Sequence, residues 1–409
     1  MRTLFRKFGQ IGWSFPIILA LSALCFASIF VILSATYGNE GLRDAPLKQL
    51  YYIFAGFAVY FTIALIPYQW LVRISPILYG VAVLMLIGVF IPGLRHKVYG
   101  AYSWLDLHVV RFEPAEFAKI AFVLAMVWFL RVRENQMHSI WTVLIALGFT
   151  LVPFALIKEQ PALGSAGVFI PVFFIMVFIA GARLRHLLLI IFMGAVAGGL
   201  YLWVSTHLIK KPDVAGGVKN FQMNRIKSWM DPSLDKQGAA WQINQSLITI
   251  GSGGMYGKVP VEADTFKSLL GALAGKTDDV KSWMVDTQTG MGYLPKNTSY
   301  NDLIFSVVGE LFGFRGGAAL IICEGTVLLW CIWVAAHARD KTGALLAVGV
   351  MTMLFAHIFV NIGMTIQVVP ITGIPLPFVS YGGTFLIACL AAMGLVQSVW
   401  VHRKNFERI

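Results

Sequence analysis

Ten long apolar segments recur along the chain, and this repetition restricts the fold more than any other feature of the sequence. A helix needs about 20 predominantly apolar residues to cross a bilayer, and these segments approach that length. Lipid offers no partner to backbone polar groups, so such segments cross a membrane as helices. The predicted spans are Phe15 to Leu33, Leu50 to Ile66, Ile74 to Ile91, Pro114 to Leu130, Ile140 to Ile157, Ala166 to Ala182, Leu187 to Val204, Gly316 to Ala336, Gly343 to Asn361 and Phe385 to Trp400.

The composition excludes a soluble protein. Hydrophobic residues make up 58% of the 409 residues and charged residues 13%, with a mean hydropathy of +0.74, whereas a soluble domain carries roughly 25% charged residues. The first apolar run is too long for the apolar core of a signal peptide, and no small-residue cleavage site follows it, so we expect a retained span. We therefore predict an all-α polytopic membrane protein with one membrane domain over residues 1–409.

The distribution of basic residues predicts the orientation in the membrane. If the N-terminus is cytoplasmic, the inward segments hold 13 Lys or Arg and three acids. The short outward loops hold six Lys or Arg and five acids. This asymmetry follows the positive-inside rule and places both termini in the cytoplasm. The net charge of +12 lies in short loops rather than in soluble basic clusters, so we expect contact with membrane lipids and no binding of nucleic acid.

One connection is much longer than the others. Residues 206–302 lie between the seventh and eighth predicted spans, on the side opposite the termini. Structureless connections of such length are uncommon and are usually functional. The chemistry of the protein is therefore expected on its extracytoplasmic face.

The fourth predicted span begins within the sequence RFEPAEFAK and carries charges where lipid disfavours them. Pro114 suits the first turn of a helix, and Glu113 before it can accept hydrogen bonds from unpaired N–H groups there. Glu116 and Lys119 are three residues apart and can pair on one helix face. Two interpretations stay open: a lysine that reaches the membrane interface beside an acid, or a pair that faces a water-filled cavity between helices.

The long outer loop contains a glycine-rich stretch, GSGGMYGK, at residues 251–258. Its glycines would let backbone N–H groups approach an anion, and Lys258 would add positive charge. The spacing is not that of a P-loop, so the motif is weak when taken alone. Arg225 lies in the same loop, and basic loops of this kind are often solvated or in contact with lipid headgroups.

Asp302 stands directly before an apolar run in NDLIFSVVGELFGF, where an aspartate is commonly a plain helix N-cap. The stretch PITGIPLPFVSYGG, residues 370–383, is punctuated by proline and glycine but is otherwise apolar. Water disfavours such side chains in an open loop. We therefore expect this stretch to re-enter the protein and to line a cavity at membrane depth.

Six stretches, taken in order, resemble the SEDS family (shape, elongation, division and sporulation) of polytopic peptidoglycan glycosyltransferases, which includes RodA-like, FtsW-like and SpoVE-like proteins. They run from about Ser103 to the C-terminus and are SWLDLHVVRFEPAEFAK, EQPALGS, INQSLITIGSGGMYGK, YNDLIFSVVGELFGFRG, FVNIGM and PITGIPLPFVSYGG. The form GIPLPFVSYGG is more similar to the RodA elongation branch than to the division branch.

The resemblance implies an enzyme of the bacterial cytoplasmic membrane that polymerises lipid II on the outer face during cell elongation and shape maintenance. It also implies a class B penicillin-binding protein as transpeptidase partner, together with other proteins of the elongation complex. The family's essential aspartate matches Asp302, which would deprotonate the 4-hydroxyl of the acceptor sugar or help a divalent cation, Mg²⁺ or Mn²⁺, to activate it. The acceptor would attack the anomeric carbon with inversion and release undecaprenyl pyrophosphate.

Further residues are predicted to bind the substrate, and the cations among them would stabilise the departing pyrophosphate. The candidates for that second role are Arg111, Lys119 and Arg225. The full predicted substrate-binding set is Arg111, Glu116, Lys119, Arg225, Gln245, Ser246, Gly253, Lys258, Ser380 and Tyr381.

The sequence departs from the family pattern at two motifs. QPALGS has Ala162 where the family motif QPDLGT has an acid, and Glu159 is a candidate substitute for that acid. The family motif HTDF is replaced by YNDL, in which Tyr300 and Asn301 precede the aspartate. The loss of the acid at position 162 removes one carboxylate that would bind a metal or pair with a base.

Two further features lie outside the motifs. The stretch from Val259 to about Gly290 is longer than the family usually has, and TFKSLLGAL within it is either a short amphipathic helix or part of a tolerated surface insertion. Glu324 lies deep in the eighth predicted span, where we expect a hydrogen-bonded core acid.

Two other functions stay open on the sequence. A transporter (flippase) of the lipid-linked precursor would also need charges inside the bundle, but it predicts functional residues near the midplane and interrupted helices in repeated halves. A degenerate, non-catalytic scaffold for a penicillin-binding protein would fit the alanine at position 162. Polymerisation of labelled lipid II by the purified protein, alone and with its partner, distinguishes the three functions.

Overall fold

The structure, a computed structural model, describes residues 14–36, 40–91, 95–98, 101–106, 111–160, 162–207, 225, 228–230, 238–259, 294 and 298–403. The helices and strands among them are, in chain order, α1 (Phe15–Thr36), α2 (Ala45–Leu65), α3 (Tyr68–Gly88), β1 (Arg95–Val98), β2 (Ala101–Asp106), β3 (Arg111–Phe112), α4 (Pro114–Val132), α5 (Ile140–Glu159), α6 (Leu163–Gly167), α7 (Phe169–Ile179), α8 (Leu184–His207), α9 (Ala239–Ser252), α10 (Ile304–Ala336), α11 (Lys341–Thr365) and α12 (Gly383–Val401).

Each of the ten predicted segments overlaps a described helix, and seven of the described helices are long and apolar enough to cross a membrane. The sixth predicted span is divided at Val168 into α6 and α7. α4 is otherwise apolar but carries the charges of Glu116, Lys119 and Arg131. The prediction of a helical, multi-pass membrane protein is confirmed, whereas the count of ten spans and their sidedness stay predictions.

The prediction of an all-α chain is wrong in one place. Three antiparallel strands, in the order β1-β2-β3, join α3 to α4. β1 pairs with β2 around a bulge between His96 and Lys97, and β2 pairs with β3 through Leu105 and Phe112. The connection is too polar to continue a span, and its aromatic and β-branched residues favour an extended backbone. This small sheet leads the chain into the first turn of α4.

α10 begins earlier than the predicted span and is interrupted. It starts at Ile304, whereas the predicted span starts at Gly316. Gly313 breaks the helical geometry with a φ of 63°, a backbone region that favours glycine. A β-carbon at Gly313 would also lie 2.4 Å from the backbone nitrogen of Gly257. The residues before Gly313 therefore form a separate helical segment between Asp302 and the membrane span.

The core of the bundle lies between α4, α11 and α12, whose side chains are buried along most of their length. α2 packs closely against α12, because a β-carbon at Gly394 would lie 2.8 Å from the carbonyl oxygen of Tyr60. α8 exposes apolar side chains that include Leu189, Phe192 and Val196. On a helix of a membrane protein, such side chains face lipid, which is as apolar as they are.

Much of the predicted outer loop, 206–302, lies outside the described residues, including 260–293 with the TFKSLLGAL stretch. The described parts of this loop include Arg225, α9 and the turn that follows α9 as far as Val259. The extracytoplasmic placement of the loop and the single membrane domain over 1–409 stay predictions.

Candidate active site

The N-terminal end of α4 brings three ionisable side chains together. Pro114 occupies the first helical turn, where a backbone N–H has no acceptor within the helix, so the proline sacrifices no helical hydrogen bond. Glu113 is the N-cap residue, but its carboxyl makes no capping hydrogen bond, so the predicted capping role is wrong. Burial and the negative charge of Glu116 raise the pKa of Glu113 to about 8; Lys119 opposes this rise and Asp302 adds to it. Glu113 is therefore largely protonated at neutral pH and interacts with Asp302.

Lys119 belongs to a buried chain of hydrogen bonds. Its Nζ donates to Glu116 Oε1 at 2.8 Å and lies 2.8 Å from His357 Nε2 on α11. The predicted pairing of Glu116 with Lys119 is thus confirmed. The two side chains are only 4% and 3% exposed, so the interpretation of a lysine that reaches the membrane interface is wrong. The sequence interpretation missed His357, because a lone histidine in an apolar span gives no pattern.

Three successive carbonyl groups fix the backbone that carries Asp302. Each accepts one hydrogen bond from a donor on α11 or in the 370–383 stretch. The pairs are Tyr381 N–H to Tyr300 O at 3.0 Å, Ser380 Oγ to Asn301 O at 2.6 Å and Asn361 Nδ2 to Asp302 O at 2.9 Å. Ser380 and Tyr381, which the sequence assigns to substrate binding, here support the Asp302 segment.

The Asp302 side chain does not cap α10. The N-cap residue is Leu303, without a side-chain capping bond, so the plain N-cap interpretation is wrong. Burial raises the pKa of Asp302 to about 6, and the positive charge of Arg225 limits that rise. Burial also lowers the pKa of Arg225, against the attraction of Asp302. A carboxyl with a pKa of about 6 is still ionised at neutral pH, and it is a stronger base than an ordinary aspartate.

The 370–383 stretch folds back into the protein, as its apolar residues predict. The side chains of Ile374, Leu376 and Phe378 are buried. Gly373 has a φ of 74° and lies beside the aspartate, since a β-carbon there would be 3.2 Å from Asp302 Oδ2. The stretch therefore forms one wall around Asp302, and its placement at membrane depth stays a prediction.

The turn that contains Ala162 lies against the same stretch. A β-carbon at Gly164 would lie 2.6 Å from the side chain of Ile374. Ala162 is partly buried, whereas Glu159 is exposed at the end of α5. No described contact supports Glu159 as the substitute for the family acid. The second carboxyl that interacts with Asp302 is instead Glu113.

The glycine-rich stretch packs on the first segment of α10. A β-carbon at Gly253 would lie 2.0 Å from the carbonyl oxygen of Gly309, so only glycine permits this approach of two backbones. The Lys258 backbone N–H donates to Glu310 O at 3.1 Å, and Lys258 Nζ donates to Glu310 Oε1, also at 3.1 Å. These contacts give the stretch a structural role, and the binding of an anion by Gly253 and Lys258 stays a prediction.

The remaining predicted substrate-binding residues lie on three different elements. Ser246 Oγ donates to Thr365 O at 2.8 Å and therefore accepts from Ser306 Oγ, 2.6 Å away, so it links α9, α10 and α11. Gln245 is its partly buried neighbour on α9. Arg111 lies in β3, at the edge of the small sheet. Their contacts with a substrate stay predictions.

A divalent cation at Asp302 would need several oxygen ligands. In the part of the chain that the structure describes, no group of three or more His, Cys, Asp or Glu side chains is placed to hold a metal ion. Glu113 is the one other described acid that interacts with Asp302, and Arg225 already supplies positive charge there. The described residues therefore form no metal cage made of protein ligands alone, and the mechanism assigns no step to a metal ion.

The N-terminal ends of α4, α10 and α12 meet the C-terminal end of α11 around Asp302. This arrangement defines a multi-pass helical membrane protein with a charged, partly buried site at one end of its bundle. The chain belongs to the FtsW/RodA/SpoVE family of cell cycle proteins, whose sequence profile matches residues 13–280 and 271–405. The family resemblance drawn from the six motif stretches is therefore confirmed.

Individual relatives match over nearly the full length of the chain. The peptidoglycan glycosyltransferase MrdB of Escherichia coli (strain K12) is 31% identical over 391 residues, which cover 96% of this chain and 94% of MrdB. The peptidoglycan glycosyltransferase RodA of Treponema pallidum (strain Nichols) is 28% identical over 453 residues, which cover 96% of this chain and 98% of that protein. A chain from a solved peptidoglycan synthase complex that coordinates polymerization and crosslinking is 25% identical, with a TM-score of 0.73 and coverage of 96% and 98%.

Proposed function

We propose that this chain is a RodA-like peptidoglycan glycosyltransferase that polymerises lipid II on the outer face of the bacterial cytoplasmic membrane during cell elongation. Relatives that match it over nearly their whole length are named peptidoglycan glycosyltransferases. The observation that carries the proposal is the setting of Asp302, a carboxyl with its backbone fixed by Asn361 and its charge balanced by Arg225.

Asp302 is the general base of the proposed reaction. Its carboxylate takes the proton of the acceptor 4-hydroxyl while that oxygen forms a bond to the anomeric carbon of the donor. The bond from this carbon to the pyrophosphate oxygen breaks with inversion, and undecaprenyl pyrophosphate leaves. The carboxylate suits this step because its pKa of about 6 keeps it ionised at neutral pH and makes it a better proton acceptor than an exposed aspartate.

Among the described residues, Arg225 is the cation best placed to stabilise the departing pyrophosphate, because it already interacts with Asp302. Fixed positive groups stabilise developing negative charge most strongly where water is excluded. Lys119 has a different part, since its ammonium is buried against Glu116 and His357. From there its positive charge opposes the rise in the pKa of Glu113, and Glu113 in turn interacts with the carboxyl of Asp302.

The positive-inside asymmetry supports an outward orientation for the end of the bundle that carries Asp302. A class B penicillin-binding protein is the proposed partner, which would crosslink the strands that this enzyme polymerises, alongside other proteins of the elongation complex. The similar solved chain comes from a complex that coordinates these two activities, which supports a partner of this kind.

Polymerisation of fluorescent lipid II tests the proposal with the purified protein in detergent or nanodiscs, alone and with its penicillin-binding protein. The parent protein should form glycan strands, and Asp302→Asn should reduce the rate at least about a hundredfold while the protein stays folded. Strands formed by Asp302→Asn at the parent rate would contradict the base assignment. Transfer of lipid II across the bilayer without polymerisation would instead favour a flippase.

Ala162 provides a second test, directed at the scaffold alternative. Ala162→Asp restores the family acid, and it should leave the rate unchanged or increase it, because the turn lies beside the site. A sharp decrease would mean that the site has been rebuilt around alanine. If neither the parent nor Ala162→Asp polymerises lipid II with its partner present, the scaffold function would be favoured.

A further inference from the structure

Asn361 joins Asp302 to the 370–383 stretch through one amide group. Its Nδ2 donates to Asp302 O at 2.9 Å and to Ile374 O at 2.7 Å. Both acceptors are carbonyl oxygens, so the orientation of the amide is fixed, with the NH₂ group toward them. Asn361 is fully buried, and the loss of its donors would leave two carbonyl groups without these bonds.

His357 makes the corresponding connection for Lys119. Its Nε2 lies 2.8 Å from Lys119 Nζ, and its Nδ1 lies 3.4 Å from Pro375 O. An ammonium group only donates hydrogen bonds, so Nε2 must accept and the proton of the neutral imidazole must be on Nδ1, facing the Pro375 carbonyl. The histidine is 1% exposed, and its ring packs against Phe385 at 5.0 Å between centroids.

The two side chains are four residues apart on α11 and therefore lie one turn apart on the same face. Their acceptors in the 370–383 stretch, Ile374 and Pro375, are consecutive residues. We propose that His357 and Asn361 form a two-point clamp on α11 that fixes the position of Asp302 relative to Lys119. Neither residue touches the reacting atoms, so both are positioning residues.

The importance of the clamp for catalysis rests on the proposed function. A general base must be held within about 0.5 Å of its productive position, and a displacement of about 1 Å can reduce the rate about a hundredfold. Asp302 lies in a turn before α10, whereas Lys119 lies on α4. Among the described residues, α11 is the element that contacts both through side chains.

The first experiment compares Asn361→Leu with Thr352→Val. Leu has the same number and branching of side-chain heavy atoms as Asn but no donor, whereas Thr352→Val removes a buried hydroxyl whose hydrogen bond among the described residues goes to Val348 O within α11. Hydrogen–deuterium exchange should show at least about tenfold faster exchange at the amides of Leu303 and Tyr381 in Asn361→Leu. The same variant should lower kcat at least about tenfold with a smaller change in KM, and Thr352→Val should change neither quantity.

The second experiment uses a matched pair at the other point of the clamp. His357→Gln keeps an acceptor near the position of Nε2, and His357→Asn keeps a donor near the position of Nδ1. The clamp predicts that His357→Gln retains kcat within about threefold, whereas His357→Asn lowers it about tenfold or more, because the charge-assisted bond to Lys119 is the stronger one. In a Lys119→Met background the two variants should have equal kcat values.

The outcomes separate the clamp from the proposed function. Unchanged exchange at Leu303 and Tyr381 in Asn361→Leu would overturn the clamp. The clamp would also be overturned if His357→Gln and His357→Asn lowered kcat equally and in proportion to their loss of melting temperature. Faster exchange with an unchanged kcat would overturn its catalytic importance. A parent protein that polymerises no lipid II would overturn the proposed function, while the exchange measurement would still decide on the clamp.

Discussion

Gly373 lies so close to Asp302 that a β-carbon there would be 3.2 Å from Asp302 Oδ2, closer than an ordinary van der Waals contact. The glycine also has a φ of 74°, which side chains rarely adopt. Gly373→Ala should therefore displace the carboxylate by a few tenths of an ångström and lower the polymerisation kcat about tenfold. The measurement is steady-state polymerisation of fluorescent lipid II.

Gly181→Ala is the matched control, since Gly181 has a φ of 102° but nothing within 4 Å of its β-carbon position. It introduces similar backbone strain without a contact at the site, so kcat should be unchanged. Equal losses of kcat in the two variants would show that backbone strain, and not contact with Asp302, explains the effect.

The pH dependence of kcat/KM should be bell-shaped. Asp302 acts as a base only when ionised, and its pKa of about 6 means that activity rises as pH increases through 6. Glu113 is neutral below its pKa of about 8, and its ionisation above that pH adds a negative charge that repels the pyrophosphate. The profile should therefore be highest between about pH 6 and pH 8, as measured by initial rates of polymerisation.

Glu113→Gln separates the two limbs of this profile. Glutamine resembles the neutral form of Glu113, so this variant should keep nearly the parent activity at pH 7 and lose the decline above pH 8. Its acidic limb should remain, because Asp302 is unchanged. An alkaline decline of parental size in Glu113→Gln would assign that limb to another group.

The sequence predicts the helices well and the site only in part, for a physical reason. Apolar runs specify spans locally, so every predicted segment overlaps a helix. The pairing of Glu116 with Lys119 was predictable because helical spacing places those residues together. His357 was not, since its contact with Lys119 depends on the packing of α11 against α4, and no local pattern reports that packing.

The small sheet and the roles of Ser380 and Tyr381 show the same limit. The connection of residues 95–112 has aromatic and β-branched residues that favour strands, but the order and register in which the strands pair are set by hydrogen bonds between strands and not by local composition. Ser380 and Tyr381 bond to carbonyls about 80 residues earlier in the chain. The resemblance marked these residues as functional, and only the fold identifies them as supports of Asp302.

Lys258 should prove more important for stability than for substrate binding. Its Nζ donates to Glu310 Oε1 at 3.1 Å, and the Glu310 side chain is 0% exposed against 24% for Lys258. Lys258→Met would leave the Glu310 carboxyl without this ammonium. The free energy of unfolding should decrease by at most about 3 kcal/mol, because Lys258 is partly solvated. The melting temperature should decrease in this variant.

The double variant Lys258→Met, Glu310→Gln tests the explanation. It removes both charges, so it should recover most of the lost melting temperature and retain the parent KM for lipid II. If KM is raised equally in the single and the double variant, Lys258 binds the substrate directly, as the sequence predicts.

Glu324 should destabilise the bundle in which it is buried. It is 0% exposed on α10, and neither carboxyl oxygen has a hydrogen-bond partner among the described residues, so the expected hydrogen-bonded acid is not observed. A buried polar group without a partner costs about 1–3 kcal/mol of stability.

Glu324→Met replaces the acid with an apolar side chain of similar volume, so it should raise the melting temperature without changing kcat. Glu324→Gln keeps a polar group and should raise the melting temperature less. A loss of kcat in a well-folded Glu324→Met protein would instead show that function, and not packing, requires the acid.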